Sequence, residues 1–441
     1  MLALPEIAEY FPRVSRALAA KAVSRALNSL QDRISMDESY VAEMSDVAAA
    51  VIAELEALDR RRIHKLINGT GIVLHTNLGR SPIDEGVWSS CKDINTGYSN
   101  LEFDLSSGSR GNRGGLVPEL VAELVGAEAA LIVNNNAAAL LLVLAEVAKG
   151  KEVLVSRGEL VQIGGDFRVP DILALSGAIL KDVGTTNVTT EEDYLRAIGP
   201  ETAAILSVNA SNFILRGFSQ KPNLRALAAA LPASLPLILD QGSGCLAMPL
   251  LGEASVASFI SAGAALVCFS CDKMLGGPQA GVIAGKADLI ERLSNHPLMR
   301  AFRPGKTVLS LLEATLLASS SATEEALKRA SDEELAALKA RGRRIVRKLP
   351  KERVSLISSR AAFGTGTSPD ETVHSFALSL SPLNSATQLS QELRQASIPI
   401  IGRIEGNSPL IDLIALADED DKLLAQLINE AFERENSRIH A

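Results

Sequence analysis

The sequence predicts an α/β protein with a mostly parallel central sheet, preceded by helices and followed by a smaller α+β region. Short apolar runs without polar alternation recur in the middle of the chain, and each precedes a segment rich in Gly, Ser, Asn, Asp or Thr. Such runs are typical of strands covered on both faces, and their alternation with helical stretches implies parallel strands joined by right-handed crossovers. The predicted strands are residues 130–133, 152–155, 203–208, 236–239, 264–269 and 281–284.

The first 62 residues predict helices. Apolar residues recur at spacings of three and four between Val41 and Leu58, with charged residues between them. Two interpretations of the basic residues in this region stay open: a solvated helix face, which the sequence alone favours, or a surface that contacts RNA phosphates. These basic residues are Arg13, Arg16, Lys21, Arg25, Arg60, Arg61, Arg62 and Lys65.

A weaker boundary is predicted near residues 319–321. A charged helix is predicted from Thr323 to about Leu349, and two strands are predicted over 373–380 and around 398–404. The predicted organisation is therefore a helical domain over 1–62, a large α/β domain over 63–318 that starts with a linker and entry motif (63–80), and a small α+β domain over 319–441.

Composition excludes several classes of protein. The 441 residues are 47% hydrophobic and 22% charged, with a net charge of −8, which is typical of a globular protein and argues against indiscriminate binding of nucleic acid. No apolar run approaches the roughly 20 residues that cross a bilayer, and four cysteines give no disulfide framework. The C-x-x-C pair Cys268 and Cys271 has no second ligand pair at zinc-site spacing. We therefore expect a cytoplasmic protein without a metal site or a membrane partner.

An aspartate and a lysine end two neighbouring predicted strands. Asp240 ends one strand, and Lys273, 33 residues later, ends the next one before a Gly-Gly-Pro turn. Pyridoxal phosphate needs such a pair, since a lysine forms a Schiff base with its aldehyde and a carboxylate keeps its pyridine nitrogen protonated. Taken singly, Asp240 is better explained as a cap and Lys273 as a solvated loop lysine, and only their occurrence in order with an Asn-rich helix start favours a cofactor site.

The cofactor's phosphate needs backbone donors at the start of a helix. An Asn-rich segment supplies a candidate, because it follows the strand at 130–133 and opens an apolar helix. The sequence therefore indicates a cofactor site formed by Lys273, Asp240, Asn135, Asn136 and Ala137, to which we add Ser243 in the loop after Asp240.

Several arginines lie in segments flanked by Gly, Ser or Pro, where a guanidinium group is able to bind an anion in bidentate fashion. Arg300 and Arg303 are three residues apart and are expected to face one pocket if their segment is helical. Solvated arginine is the alternative for each. The other members of this group are Arg80, Arg110 and Arg113.

Ten motifs occur in a specific order along the chain. They are 67–82 (INGTGIVLHTNLGRSP), 108–113 (GSRGNR), 133–138 (VNNNAA), 155–160 (VSRGEL), 163–168 (IGGDFR), 183–187 (VGTTN), 240–244 (DQGSG), 272–281 (DKMLGGPQAG), 296–300 (HPLMR) and 401–405 (IGRIE). With these motifs the chain resembles bacterial selenocysteine synthase, the L-seryl-tRNA(Sec) selenium transferase family, over nearly its whole length.

The resemblance implies a fold-type-I PLP-dependent transferase that forms a homo-oligomer, with a dimer as the unit and a ring of dimers as the assembly. Such an enzyme converts L-seryl-tRNA(Sec) to selenocysteinyl-tRNA(Sec) through a PLP-bound aminoacrylyl intermediate, with selenophosphate as the selenium donor, and its N-terminal helices bind the tRNA. By the same resemblance Lys273 forms the Schiff base, Asp240 pairs with the pyridinium, Asp272 is an active-site residue, and the anionic donor is bound by Arg80, Arg300 and Arg303.

The chain departs from the family pattern at three notable positions: Cys271 replaces a usual glycine, Gln241 a usual leucine and Asn209 a usual histidine. Two alternative functions are therefore weighed. A PLP-dependent lyase or transferase acting on a free amino acid or amino sugar has no use for basic N-terminal helices. A degenerate RNA-binding or scaffold protein has no use for Lys273 together with Asp240.

Overall fold

The computed structural model describes residues 1–37, 39–163, 167–209, 215–249, 252–318, 328, 331–364 and 372–440. Contacts between Cα atoms divide the chain into two compact units, Met1–Leu66 and Ile67–Ala441. The predicted boundary at 319–321 lies outside the described residues, as does the start of the charged helix that follows it.

Strands and helices alternate through most of the second unit. The strands are β1 (Ile67–Gly69), β2 (Ile72–Leu74), β3 (Phe103–Asp104), β4 (Ser109–Arg110), β5 (Ala129–Val133), β6 (Glu152–Ser156), β7 (Gln162–Ile163), β8 (Phe167–Arg168), β9 (Ile179–Val183), β10 (Thr202–Val208), β11 (Leu237–Gly242), β12 (Leu266–Ser270), β13 (Gly281–Gly285), β14 (Val354–Gly364), β15 (Thr372–Leu380), β16 (Ile400–Glu405) and β17 (Ser408–Asp412).

The helices, which also build the first unit, are α1 (Pro5–Ala8), α2 (Phe11–Val14), α3 (Arg16–Met36), α4 (Met44–Arg60), α5 (Glu85–Ser90), α6 (Lys92–Thr96), α7 (Val117–Val125), α8 (Asn136–Val147), α9 (Val169–Ser176), α10 (Glu191–Ala197), α11 (Leu224–Ala230), α12 (Val256–Ser261), α13 (Ala287–Asn295), α14 (Met299–Phe302), α15 (Lys306–Leu317), α16 (Asp332–Val346), α17 (Ala386–Arg394) and α18 (Asp421–His440). Short 3₁₀ turns occur at Thr76–Leu78, Arg157–Glu159 and Asp418–Asp420.

The N-terminal unit consists of α1 to α4, which confirms the predicted helices. A row of alanines on α3, including Ala19, Ala22 and Ala26, is buried against Val51 and Leu55 of α4. Small side chains on one helix allow the larger side chains of the other to approach closely. Much of the basic side-chain charge is neutralised within the unit, in the ion pairs Arg13–Asp59, Arg25–Glu54, Arg60–Glu56 and Arg62–Asp59.

The central sheet has seven strands in the order β5-β13-β12-β11-β10-β6-β9. Only β13 runs antiparallel to its neighbours, so the predicted mostly parallel sheet is confirmed, and all six predicted strands are present. The edge strand β9 was not predicted. Its Lys181 and Asp182 interrupt the apolar pattern because they lie at the partly exposed edge of the sheet.

Helices cover both faces of the central sheet. Alternate residues of β12 belong to different cores: Cys268 packs in the core of α8 and α13, whereas Phe269 packs in the core of α7 and α15. Because both faces are filled with apolar side chains, the strand ends are the places left for polar chemistry.

A second sheet contains strands from both ends of the unit, in the order β1-β16-β17-β15-β14-β2. The predicted strands at 373–380 and 398–404 are confirmed as β15 and β16, and α16 confirms the described part of the charged helix. Strands β14 and β17 were not predicted, since polar residues interrupt β14 and β17 is short and contains Pro409. The entry segment supplies β1, parallel to β16, and β2, parallel to β14.

No helix among the described residues is both long enough and apolar enough to span a membrane.

Candidate active site

Asp240 lies near the carboxyl end of β11, between Val208 of β10 and Cys268 of β12 in the register of the sheet. Its side chain is buried, and Asn136 Nδ2 donates a hydrogen bond to its Oδ1 at 2.8 Å. Burial raises the pKa of Asp240, because it disfavours the charged form, while the Asn136 hydrogen bond and the nearby Lys273 act in the opposite direction. A cationic partner next to Asp240 would therefore stabilise its charged form.

Lys273 follows β12 in a loop that is anchored on both sides. The amide of Met274 donates to the carbonyl of Ser243 at 3.0 Å, and the amide of Gly276 donates to the carbonyl of Lys273 at 3.0 Å. Burial lowers the pKa of Lys273, the charge of Arg80 lowers it further, and Asp240 opposes both. A lowered pKa increases the fraction of neutral amine, which is the nucleophilic form.

The start of α8 lies beside Asp240. Asn135 caps this helix, since its Oδ1 accepts a hydrogen bond from the amide of Ala138 at 2.9 Å. The first-turn amides of a helix have no intrahelical partner and attract anions, which leaves the Asn136 and Ala137 amides available for a phosphate. A Cβ atom on Gly281 would lie 2.2 Å from the Asn135 carbonyl oxygen, so only glycine fits beside this turn.

The loop after Asp240 is fixed by its own side chains. The amide of Gly244 donates to Gln241 Oε1 at 2.8 Å, and Gln241 Nε2 donates to the fully buried Ser243 hydroxyl. Ser243 in turn donates to Glu253 Oε2 at 3.4 Å. The contacts of Ser243 are thus made within the protein, and they hold the loop that leads from Asp240 toward Lys273.

Arg80 and Asp272 form an ion pair next to Lys273, with 2.6 Å between Arg80 Nη1 and Asp272 Oδ2. Arg80 has a positive φ of 64°, which is uncommon for a residue with a side chain, and its amide donates to the His75 carbonyl at 3.1 Å. His75 also caps the short turn at Thr76–Leu78. The backbone of the entry segment therefore directs Arg80 to the lysine loop.

Arg300 and Arg303 line one cavity of about 390 Å³ together with Arg113, and this set is called the arginine cavity below. The two residues belong to or directly follow α14, and the Phe302 carbonyl accepts a hydrogen bond from the Asn134 amide at 2.8 Å. Arg80 is absent from the lining of this cavity among the described residues.

Glu102 organises the arginine cavity. Its Oε1 lies 2.6 Å from Arg113 Nη1 and 3.5 Å from Arg303 Nη1, and Arg110 pairs with its Oε2 at 3.4 Å. The hydrogen bond from Arg113 and the surrounding positive charges lower the pKa of Glu102. One carboxylate shared among three guanidinium groups leaves a net positive charge.

The four cysteines are free and buried. Burial raises the pKa of Cys268 and of Cys271, so both thiols stay protonated and unreactive near neutral pH. Cys271 packs in the core formed with Phe269 and Leu312. Among the described residues, no group of three or more His, Cys, Asp or Glu side chains is arranged to hold a metal ion.

The residues present fit pyridoxal phosphate. Two buried acceptor atoms, Asn136 Oδ1 and Asp272 Oδ1, have no hydrogen-bond partner among the described residues, although they flank the Asp240 and Lys273 positions. A partly buried amine of lowered pKa, a buried acid and the first-turn amides of a helix are the groups that this cofactor requires.

The fold and the groups at this site match the class expected from the sequence, the fold-type-I enzymes that use pyridoxal phosphate. A solved structure of D-glucosaminate-6-phosphate ammonia-lyase is similar in fold, with a TM-score of 0.59 at 20% identity, over 85% of this chain and 97% of that one.

Sequence comparisons identify the family. The family model of L-seryl-tRNA selenium transferase matches residues 66–417. A curated L-seryl-tRNA(Sec) selenium transferase from Geotalea uraniireducens is 41% identical, over 92% of this chain and 91% of the relative. One from Carboxydothermus hydrogenoformans is 36% identical, over 98% and 95% respectively. The chain belongs to the L-seryl-tRNA selenium transferase family.

Two acidic residues of this region were not predicted from the sequence. Glu102 and Glu253 each lie in an irregular segment, and no spacing or flanking pattern distinguishes them from other loop acids. Only their tertiary contacts, with the arginines in one case and with Asn209 and Ser243 in the other, bring them to the site.

Proposed function

We propose that this protein converts the serine of L-seryl-tRNA(Sec) to selenocysteine, with pyridoxal phosphate as cofactor and selenophosphate as selenium donor. The observation that carries the proposal is the cluster of buried Asp240 with partly buried Asn136 and Lys273 at the carboxyl edge of the sheet. Family membership selects the reaction from the many that such a cluster supports.

Lys273 would hold the aldehyde carbon of the cofactor, Asp240 its ring nitrogen, and the start of α8 its phosphate. When bound, pyridoxal phosphate supplies an electron-accepting ring that stabilises the negative charge left when the carbon next to an amine loses a proton. Asn136 restrains the Asp240 carboxyl group through its 2.8 Å hydrogen bond. This contact fixes the orientation of the Asp240 carboxyl group.

Proton transfer falls to Lys273. Its lowered pKa allows the Nζ atom to be neutral when a proton must be accepted and charged when one must be given back. The Arg80–Asp272 ion pair beside it keeps a positive and a negative group in fixed positions next to this amine. We expect these fixed charges to stabilise the charge that develops when the serine hydroxyl leaves.

The arginine cavity is proposed to bind the selenium donor. Guanidinium groups bind tetrahedral oxyanions through paired hydrogen bonds. Arg300 is exposed and lines the cavity, and Glu102 neutralises only part of the charge of Arg113 and Arg303. Such a surface favours an anion of the size of selenophosphate.

The N-terminal unit is proposed to bind the tRNA, and the protein is proposed to act in the cytoplasm. Lys21 and Arg61 are exposed, and the ion-paired arginines remain largely accessible at the surface. Each exposed ion pair contributes only about 0–1 kcal/mol to stability. The phosphates of an RNA are therefore able to replace the carboxylates as partners of these arginines at little cost. The overall charge of −8 argues against indiscriminate binding of nucleic acid, so a local basic surface is needed.

A homo-oligomer, with a dimer as its unit and a ring of dimers as the assembly, is also proposed. Exposed apolar side chains cluster in one stretch that includes Trp88, Tyr98, Phe103 and Leu105. Burial of such side chains against a second copy would remove apolar surface from water. Light scattering of the purified protein is expected to give a mass well above the 46.6 kDa of one chain.

The decisive experiment compares two substrates. The loaded enzyme is incubated with selenophosphate and either serine-charged selenocysteine tRNA or free serine. We expect selenocysteine to form only on the tRNA. Turnover of free serine at the same rate would instead support a lyase or transferase that acts on free amino acids.

A further inference from the structure

Glu253 is a buried carboxylate to which none of the roles above has been given. It lies between β11 and α12, where its Oε2 accepts a hydrogen bond from Asn209 Nδ2 at 2.8 Å and one from Ser243 Oγ at 3.4 Å. Removing a carboxylate from water costs several kcal/mol unless donors or charges surround it. The hydrogen bonds from Asn209 and Ser243 therefore offset part of the cost of burying the Glu253 carboxylate.

One of these donors, Asn209, follows the strand that pairs with Asp240, and the other, Ser243, lies three residues after Asp240. The main-chain amide of Asn209 donates to the Asp240 carbonyl at 2.8 Å, and the Ser243 carbonyl accepts from the amide of Met274, the residue after Lys273, at 3.0 Å. Glu253 thus contacts the end of β10 and the loop after β11, and through Ser243 it reaches the lysine loop.

The carboxylate also acts on Lys273 through its charge. The charged groups that influence this amine are Asp240 on β11, Asp272 on its own loop, Arg80 on the entry segment, and Glu253. The three acids favour the protonated amine, whereas Arg80 and burial favour the neutral amine. Glu253 therefore opposes the burial that makes Lys273 nucleophilic.

We propose that Glu253 is a positioning residue of the Lys273 site: its hydrogen bonds hold Asn209 and Ser243 next to Asp240, and its carboxylate adds one negative charge to those around the lysine. This inference rests on the proposed pyridoxal-phosphate site and assigns a further residue to it. Glu253 itself does not contact the reacting atoms in this assignment.

Two substitutions separate the two parts of the proposal. Glu253→Gln keeps an oxygen acceptor for Asn209 but removes the charge, whereas Glu253→Ala removes both. Glu159→Gln is the matched control, since Glu159 is also a buried acid near the end of β10 but is not among the groups that act on Lys273. Far-UV circular dichroism and thermal unfolding establish that each variant is folded.

The measurement is the rate at which cofactor-free protein captures pyridoxal phosphate, followed by visible absorbance between pH 6 and pH 10. We expect Glu253→Gln to shift the midpoint of this profile to lower pH, because loss of a nearby negative charge lowers the pKa of the amine. Glu253→Ala is expected to release bound cofactor about tenfold faster as well. The control is expected to retain the wild-type profile.

A midpoint that Glu253→Gln leaves in place, or shifts no further than Glu159→Gln does, would overturn the proposal, and this variant alone decides if Glu253→Ala does not fold. Failure of the wild-type protein to capture the cofactor at Lys273 is a different result. It would contradict the proposed function first, and this inference only as a consequence.

Discussion

The pair of Asp240 and Lys273 and the arginine cavity both bring charged groups together, but they do so in different environments. Asp240 and Lys273 lie at the ends of central strands under apolar cores, where burial dominates both pKa values. The arginine cavity is open, and its charges are balanced mainly by the partly exposed Glu102. We therefore expect burial to control reactivity in the first region and accessible charge to control anion affinity in the second.

This comparison predicts the largest effect at Lys273. Lys273→Ala should abolish conversion of seryl-tRNA, because the amine is proposed both to hold the cofactor and to move the proton. The wild-type protein should be yellow and should lose its visible band on borohydride reduction, with the label recovered on the peptide that contains Lys273. A labelled lysine elsewhere would contradict the assignment.

Asp240→Asn is expected to have the next largest effect. The substitution keeps an oxygen that accepts from Asn136 but removes the charge, and breaking a buried charge pair costs about 3 kcal/mol or more, which corresponds to roughly a hundredfold loss of kcat/KM. Steady-state kinetics of the loaded variant measure this loss. A variant that retains wild-type kinetics would show that the acid has no electronic role.

Arg300→Ala should have a smaller and more selective effect. Loss of one charge-assisted hydrogen-bonding group costs about 1.5–3 kcal/mol, so we expect the KM for selenophosphate to rise at least tenfold, while the cofactor spectrum is unchanged. Raising the salt concentration should weaken donor use by the wild type, because this cavity is open to solvent. Arg292→Ala, which removes an exposed arginine paired with Glu146, serves as the control. An unaltered donor requirement would contradict the role given to the cavity.

The last prediction concerns stability and not catalysis, and it involves Glu159, a buried acid of the same sheet edge. Its oxygens accept hydrogen bonds from Ser207 Oγ and the Val208 amide, both at 3.0 Å, yet burial raises its pKa from 4.5 to about 7. Because the folded protein binds this proton more tightly, the contribution to stability is complete below pH 4.5 and is lost as the pH rises toward 7. The loss amounts to about 3 kcal/mol.

Glu159→Gln should therefore flatten the decrease in the free energy of unfolding between pH 5 and pH 8. Urea titrations at several pH values measure this slope for both proteins. Parallel slopes would show that the carboxyl group does not titrate in this range.

The sequence predicts the central sheet well because its strands are buried on both faces and therefore carry unbroken apolar runs. Strands β9 and β14 contain polar residues that interrupt such runs, so a search for apolar runs does not find them. The pair Asp240 and Lys273 was predictable because each residue follows an apolar strand, and parallel strands end at a common edge.

The supporting residues of the site were not predictable in this way. Glu253 lies 44 residues from its partner Asn209, and Glu102 lies 11 residues from Arg113 in an irregular segment. Contacts of this kind depend on how loops pack, and they leave no periodic pattern in the sequence. The pairing of Arg80 with Asp272 was likewise invisible, although both residues were expected at the site.

The pairing of β1 and β2 with β16 and β14 has a consequence for how the protein is made. Arg80 follows β2 closely, and its partner Asp272 is 192 residues further along the chain. The strands that anchor the entry segment, however, are synthesised still later. A nascent chain that has just left the ribosome through Lys273 therefore carries every proposed cofactor ligand, yet it lacks the scaffold that orients Arg80. Enzymatic competence is expected to appear only after translation has passed β16.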